Sequence, residues 1–146
     1  MHIKSSLADG KKVVAVVSAM GKSTNHLIDQ ARSIAANPDA RELDQLLSVG
    51  EIKSAALLAI KLIDLGVKAV SLTAKQIGLL TSADHENARI IGLESKEVVR
   101  DYLEKFDVLV VTGFQGVIRG SDEITTVGRG GSDAIAVALA VELKAG

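Results

Sequence analysis

The chain has 146 residues, with 17 basic and 18 acidic side chains that leave a formal net charge of −1. This length suits one domain with a sizeable core. The balanced charge gives no reason to expect nucleic acid or an anionic membrane surface as a partner. The absence of cysteine excludes disulfides and thiolate metal sites. Because the apolar runs are short and the N-terminus lacks a signal-peptide core, we expect a soluble cytoplasmic protein without a membrane segment.

The first half of the chain predicts a buried strand followed by two helices. The β-branched run at 13–17 is typical of a strand buried on both faces of a parallel sheet. A helix follows it, with Ser23 or Thr24 as the N-cap residue. A second helix is predicted from about residue 40 to residue 65. Gly50 interrupts its pattern, so we expect a break there.

The second half repeats the alternation of strands and helices. It predicts strands at 67–71 and 108–112, a short hairpin at 78–91, and helices at 95–106 and 132–144. Strands and helices that alternate at this spacing are typical of βαβ units. We therefore predict an α/β protein, a three-layer α/β/α sandwich with a mainly parallel central sheet, with the whole chain in a single domain.

Three glycine-containing turns are the candidate ligand-binding segments: "SAMGKST", "TGFQG" and "GRGGSD". Ligands of open α/β sheets bind at the carboxyl ends of the strands. Glycine lets the backbone approach a ligand closely, and helix N-termini supply free N–H groups. A single glycine turn is equally well explained by the need of α/β connections for glycine. Three such turns together favour a phosphate or carboxylate ligand. "MGKST" is not a P-loop, because Val16 stands where that motif needs glycine.

Single residues in these segments have alternative interpretations. Arg129 is either a solvated turn residue or a bidentate ligand for a carboxylate. Asp133 is either a helix N-cap, worth about 1 kcal/mol, or a group that orients a cation. Composition alone favours Glu51 as a stabilising charge in the first turn of a helix. No histidine is predicted to bind a metal, since the spacing of the three is wrong for that: His2, His26 and His85.

Several longer stretches carry a resemblance to a known family. They are "VVAVVSAMGKSTNHLIDQA", "RELDQLLSVGE", "VVTGFQGV" and "EITTVGRGGSDAIAVALAVELKA". In order and spacing the chain resembles the aspartate kinases of the amino acid kinase family. The resemblance implies the amino acid kinase (carbamate kinase-like) fold. It also implies ATP- and Mg²⁺-dependent phosphorylation of the L-aspartate side chain to 4-phospho-L-aspartate, the first step towards lysine, threonine and methionine.

The resemblance also implies roles for individual residues. Arg129 would hold a carboxylate of L-aspartate, or of a similar small amino acid, and Glu51 would contact its amino group. Asp133 would act in catalysis by helping to position a lysine. The other substrate-binding positions that it implies are Ser18, Ala19, Thr24, Phe114, Gly130, Gly131 and Ser132. A homodimer or higher oligomer is expected as well, because the family tends to dimerise and the last helix is apolar nearly all round.

The sequence departs from the family pattern in several ways. The family's "KFGGTS" phosphate loop has no counterpart, nor do its downstream nucleotide segment and ACT domains. Val49 also replaces the threonine of the family's "STGE". We therefore expect a partial kinase domain that does not phosphorylate aspartate on its own. The alternatives are a non-catalytic fragment or degenerate relative that at most binds an amino acid, and an unrelated flavodoxin-like binder of small molecules.

Overall fold

The structure is a computed structural model that describes residues 2–128 and 130–145. Helices and strands alternate along the described residues. The helices are α1 (His2–Ala8), α2 (Ser23–Ile34), α3 (Ala40–Asp64), α4 (Ala74–Ile77), α5 (Lys96–Lys105) and α6 (Gly131–Leu143). The strands are β1 (Val13–Val17), β2 (Ala69–Leu72), β3 (Leu79–Thr81), β4 (Ile90–Leu93), β5 (Val108–Thr112), β6 (Gln115–Ile118) and β7 (Ile124–Thr126).

The central sheet has the order β1-β5-β2, and both pairings are parallel. Residues 108 and 110 of β5 face α3, where they pack against Ala55 and Leu62. Residues 109 and 111 face the opposite layer and pack against residues of α5 and α6, including Ile135. Helices therefore cover both faces of the sheet, which confirms the predicted α/β/α arrangement and its three central strands.

A second sheet lies beyond the carboxyl end of β5, with the order β4-β3-β6-β7. Its β3–β4 pairing is antiparallel and confirms the hairpin predicted at 78–91. The β6–β7 pairing is antiparallel and β3–β6 is parallel. The chain passes from the first sheet to the second through Gly113 and Phe114, so the apolar run after 107 forms two strands rather than one.

Helix α3 runs without a break through Gly50, so the interruption predicted there is wrong. The glycine has a packing role, because a Cβ at this position would lie 2.9 Å from the Cβ of Ala19. Gly50 thus lets α3 approach the loop that follows β1. The predicted N-cap of α2 is also wrong, since Lys22 occupies that position and Ser23 is already helical. No helix among the described residues combines the length and the hydropathy of a membrane span.

We expect the substitution Gly50→Ala to give no gain in stability. Glycine to alanine in a helix interior normally stabilises by about 1 kcal/mol, but here the added methyl group displaces Ala19. Urea denaturation measures the net change, and the amide resonance of Ala19 reports the displacement. Ala56→Gly, at a half-buried position of the same helix, is the control and should show the ordinary propensity cost. A full 1 kcal/mol gain for Gly50→Ala would contradict the packing role.

Candidate functional site

One pocket collects the sequence-predicted site residues that the structure describes. It lies where the carboxyl ends of β1 and β5 meet α3 and the N-terminus of α6, and its volume is about 270 Å³. Its lining consists of Ser18, Ala19, Thr24, Glu51, Phe114, Gly128, Gly130, Gly131, Ser132 and Asp133. Gly128 belongs to a predicted turn but was not singled out as a site residue. Arg129 lies outside the described residues.

The ends of β1 and β5 and the start of α6 touch at the back of this pocket. The Ser18 hydroxyl donates a hydrogen bond of 2.8 Å to the Ser132 Oγ. The Gly113 amide donates one of 2.8 Å to the Val17 carbonyl. A Cβ on Gly113 would lie 2.7 Å from the Cβ of Ser132 and 2.9 Å from the Val17 oxygen. Only glycine therefore allows the two strands and the helix to come together here.

Phe114 has an unusual backbone conformation at the edge of the pocket. Its φ is +63°, in the left-handed region that bulky side chains rarely adopt. Its carbonyl accepts a hydrogen bond of 2.9 Å from the Val127 amide, which fixes it to the glycine turn. Strained residues of this kind cluster at functional sites, so the geometry of Phe114 supports the assignment of this pocket as the candidate site.

Glu51 lies in the middle of α3, with only 2% of its surface exposed. The first-turn interpretation is therefore wrong, because the helix begins at Ala40. Its Oε1 accepts a hydrogen bond of 3.2 Å from the Ala19 amide. Its Oε2 is buried and has no hydrogen-bond partner among the described residues. An unsatisfied buried carboxylate oxygen is costly, so this atom is an acceptor that suits a cationic ligand donor.

The environment of Glu51 also changes its acidity. Burial raises the pKa of the Glu51 carboxyl to about 6, while the hydrogen bond from Ala19 opposes that shift. The carboxyl is still mainly ionised at neutral pH. A ligand ammonium beside it would favour the ionised form and lower the pKa again.

The raised pKa predicts a pH-dependent stability. The folded chain holds the Glu51 proton more tightly than the unfolded chain, whose carboxyl titrates near 4.5. Ionisation therefore costs the folded state about 1–2 kcal/mol. This cost is absent below pH 4.5, grows between 4.5 and 6, and is complete above 6.

We expect Glu51→Gln to be more stable than the wild type at pH 7.5, with the difference shrinking towards pH 4.5. Urea denaturation across this range measures it. The control is Glu104→Gln, the same change at an exposed position of α5, which should leave the pH profile unaltered. A difference between Glu51→Gln and the wild type that does not depend on pH would contradict the assigned burial of the charge.

Helix α6 directs its N-terminus at the same pocket. Gly130 is its N-cap with φ +73°, and no side chain in residues 2–128 and 130–145 forms a capping hydrogen bond there. Asp133 lies in the first turn, so its interpretation as the N-cap is wrong. The first turn of a helix leaves backbone N–H groups without intrahelical partners. Together with the helix dipole, these groups favour an anion such as a carboxylate or phosphate.

The described residues do not form a metal site by themselves. No three His, Asp or Glu side chains in residues 2–128 and 130–145 are placed to hold a metal ion. Two carboxylates line the pocket, Glu51 and Asp133, and neither a lysine nor a histidine is among its described lining residues. The described lining therefore offers a buried acceptor at Glu51 and the N-terminus of α6, which suit a cationic and an anionic group respectively.

Sequence reasoning missed a buried polar cluster beside the pocket. Asp44 of α3 is fully buried and accepts hydrogen bonds from Thr126, His85 and the Glu86 amide. The signal in the sequence was an aspartate two helical turns before Glu51, between leucines of the buried face. His85 pairs with this carboxylate at 2.8 Å.

Comparisons with known proteins agree on one family. A model of the amino acid kinase family matches residues 1–146. The aspartokinase of Geobacillus stearothermophilus is 52% identical over 136 residues, and aspartokinase 2 of Bacillus subtilis (strain 168) is 50% identical over the same length. Each match covers 93% of this chain and 33% of the relative. The chain thus spans about a third of the length of the curated relatives it matches.

Solved structures give the same picture. The aspartate kinase from Synechocystis superposes with a TM-score of 0.79 at 46% identity, covering 99% of this chain and 23% of that one. Escherichia coli aspartokinase III, in complex with lysine and aspartate, has a TM-score of 0.80 at 18% identity. That match covers 99% of this chain and 44% of the other, and it shows the similarity of fold alone.

Proposed function

Because this chain belongs to the amino acid kinase family, we propose that it is an aspartate kinase-type domain that supplies the aspartate half of the active site. The complete reaction would transfer the γ-phosphoryl group of ATP to the side-chain carboxylate of L-aspartate. The product, 4-phospho-L-aspartate, would enter the synthesis of lysine, threonine and methionine. Curated relatives that are 50–52% identical and named aspartokinase support this proposal.

One observation carries the proposal: a buried, unpaired acceptor and a helix N-terminus face the same small cavity. Glu51 Oε2 lacks a partner among the described residues, and Gly131–Leu143 begins at the same cavity. An α-amino acid presents an ammonium and a carboxylate, the two groups that this arrangement favours. The cavity of about 270 Å³ lies just below the roughly 300–1,000 Å³ of pockets for drug-sized ligands. It therefore suits a single amino acid.

The remaining assignments follow the family resemblance. Arg129 would hold a carboxylate of the substrate, since its planar guanidinium binds carboxylates in a bidentate manner. Ser132 would contribute its backbone N–H group at the start of α6, and Gly130 and Gly131 would let the substrate approach the backbone closely. Phe114 and Ala19 would form the walls, with Ser18 and Thr24 offering hydroxyl groups. Asp133 would position a lysine that neutralises the transferred phosphoryl group.

ATP and Mg²⁺ fit the described residues less well than the amino acid does. Phosphoryl transfer depends on cations that neutralise the β- and γ-phosphates, and no lysine lies among the described residues of this pocket. Mg²⁺ commonly uses one or two carboxylates together with substrate phosphates, and Asp133 alone is placed at the open part of the site. We therefore assign no residue of this chain as a ligand of the metal.

A hydroxamate assay tests the division between binding and catalysis. The purified chain with Mg²⁺, ATP, L-aspartate and hydroxylamine should form no hydroxamate at a useful rate, although it binds L-aspartate. Turnover near the ordinary enzyme range of about 1–10³ s⁻¹, lost in Asp133→Ala, would contradict this division. In that case these residues would carry the phosphate site as well.

Two alternatives to an aspartate kinase-type domain make different predictions. A degenerate relative that binds an amino acid without catalysis would also bind L-aspartate. It would remain inactive even when nucleotide-binding segments of the family were joined to it, whereas a kinase domain would gain activity. The unrelated flavodoxin-like binder is excluded, because the family model matches the whole chain.

We also propose that a second copy of the chain covers the outer face of α6. This helix buries Ile135 and Leu139 against the sheet but leaves Val137 and Val141 63% and 70% exposed. Contiguous apolar surface of this kind is typical of protein interfaces. Sedimentation at protein concentrations on the order of tens of micromolar should show a dimer or a higher oligomer. The double substitution Val137→Lys and Val141→Lys should give monomers.

The control for this prediction is Ile34→Lys, at an exposed apolar side chain of α2. It should leave the oligomer unchanged. A wild-type chain that sediments as a clean monomer would contradict the proposed assembly.

A further inference from the structure

The buried Asp44 joins three segments of the fold around one carboxylate. Its Oδ1 accepts a hydrogen bond of 2.6 Å from the Thr126 hydroxyl at the end of β7. Its Oδ2 accepts one of 2.8 Å from His85 Nδ1, in the loop between β3 and β4. The Glu86 amide donates to both oxygens, at 3.1 and 3.0 Å. Hydrogen bonds to a buried charge are among the stronger ones in proteins, so this carboxylate fixes the relative position of the three segments.

Two walls of the candidate site are connected to the Asp44 carboxylate through short, rigid segments: the Glu51 wall and the wall formed by Phe114. Glu51 lies two turns after Asp44 on the same face of α3, and a helix is stiff over that distance. Thr126 directly precedes Val127, whose amide donates to the Phe114 carbonyl at the edge of the pocket. One wall of the pocket is therefore attached to Asp44 through α3, and the opposite wall through β7.

A second contact ties the same two walls together. The Gln115 side chain donates a hydrogen bond of 3.1 Å to the Ser48 carbonyl of α3. Both Gln115 and Ser48 are buried. This contact lies between Asp44 and Glu51 along the helix, so α3 is held against the second sheet at two consecutive turns just before it reaches the pocket.

We propose that Asp44 is a positioning residue, which holds the Glu51 wall of the pocket at a fixed separation from the glycine turn before α6. Its relevance to aspartate binding rests on the proposed function, but the positioning itself does not. Asp44 would not touch the ligand. It would keep the Glu51 carboxylate buried against Ala19 and keep the turn close enough for one amino acid to reach both.

The substitution Thr126→Val tests this role, because it removes one donor to Asp44 and nearly preserves the side-chain shape. Thr126→Ser is the matched control, since it retains the hydroxyl. Three quantities are measured on the full chain: the pKa of Glu51 by ¹³C NMR titration, the Ala19 amide shift, and the affinity for L-aspartate by calorimetry. Should Thr126→Val fail to fold, His85→Leu removes a different donor to the same carboxylate at a partly exposed position.

For Thr126→Val we expect the Glu51 pKa to fall by at least about 0.5 as the wall loosens, with a shifted Ala19 amide. L-aspartate should bind about tenfold more weakly, whereas Thr126→Ser should match the wild type in all three measurements. A Glu51 pKa and an Ala19 shift that stay at wild-type values in folded Thr126→Val would overturn the proposal and leave Asp44 a purely stabilising residue. If the wild type binds no L-aspartate, the proposed function fails, but the Glu51 titration still decides the role of Asp44.

Discussion

Replacing Glu51 with glutamine is expected to weaken the binding of L-aspartate by about 100-fold, because it leaves a ligand ammonium without its buried anionic partner. The two side chains have nearly the same shape, and the hydrogen bond from the Ala19 amide to Oε1 can persist. The loss therefore reports the charge rather than a change of packing. Isothermal calorimetry at pH 7.5 measures it, at a pH where the wild-type carboxyl is ionised because its pKa is about 6.

Glu104→Gln is the control, as the same chemical change on the exposed surface of α5. It should bind L-aspartate like the wild type. The variant Glu51→Gln should also be the more stable protein at this pH, so weakened binding cannot be attributed to unfolding. Equal affinities of the wild type and Glu51→Gln for L-aspartate would show that Glu51 does not bind the ligand ammonium.

Gly113→Ala is expected to lower the stability by about 3 kcal/mol. Its Cβ would lie within 2.9 Å of the Val17 oxygen and within 2.7 Å of the Ser132 Cβ, and neither is the end of a flexible side chain. Since β1, β5 and α6 meet here, the strain would also open the pocket. Urea denaturation measures the stability, and the amide resonances of residues 18 and 132 report the opening.

Gly120→Ala separates crowding from backbone strain. Gly120 has φ +75° with nothing within 4 Å of an added Cβ, so alanine costs only the left-handed conformation, about 1 kcal/mol. We expect the Gly113 variant to be clearly the less stable of the two. Comparable losses of stability for both variants would show that the contact between β1, β5 and α6 can adjust to the added methyl group.

The central sheet could be predicted from the sequence because β1 and β5 are β-branched runs of the length that a buried parallel strand needs. The shorter segment of β2 has only one β-branched residue, and it was predicted mainly from its place after a long helix. The same reasoning failed at Gly50, where a residue that normally weakens a helix is retained for a close contact with Ala19. That contact joins segments far apart in the sequence, so no local pattern reveals it. For the same reason, the pattern placed Glu51 in a first helical turn, whereas it lies in the middle of α3.

The residues of the candidate site were predicted mainly through the family resemblance and less from their own chemistry. Glycine turns pointed to the carboxyl ends of the strands, and Phe114 and Ser132 lie there. No sequence pattern indicated that Asp44 and His85 would pair, since Asp44 lies on a helix and His85 in the loop between β3 and β4. Such polar contacts depend on the packing of a helix against a sheet, which periodicity does not determine.

An NMR titration with L-aspartate and with succinate tests the central claim most directly. Succinate has both carboxylates of aspartate but lacks its ammonium, the group that we assign to Glu51. The account predicts that L-aspartate shifts the amide resonances of Ala19 and of residues 131–133, and that succinate at the same concentration leaves the Ala19 resonance in place. Equal shifts with both compounds, or none with L-aspartate, would contradict an amino acid site between Glu51 and the N-terminus of α6.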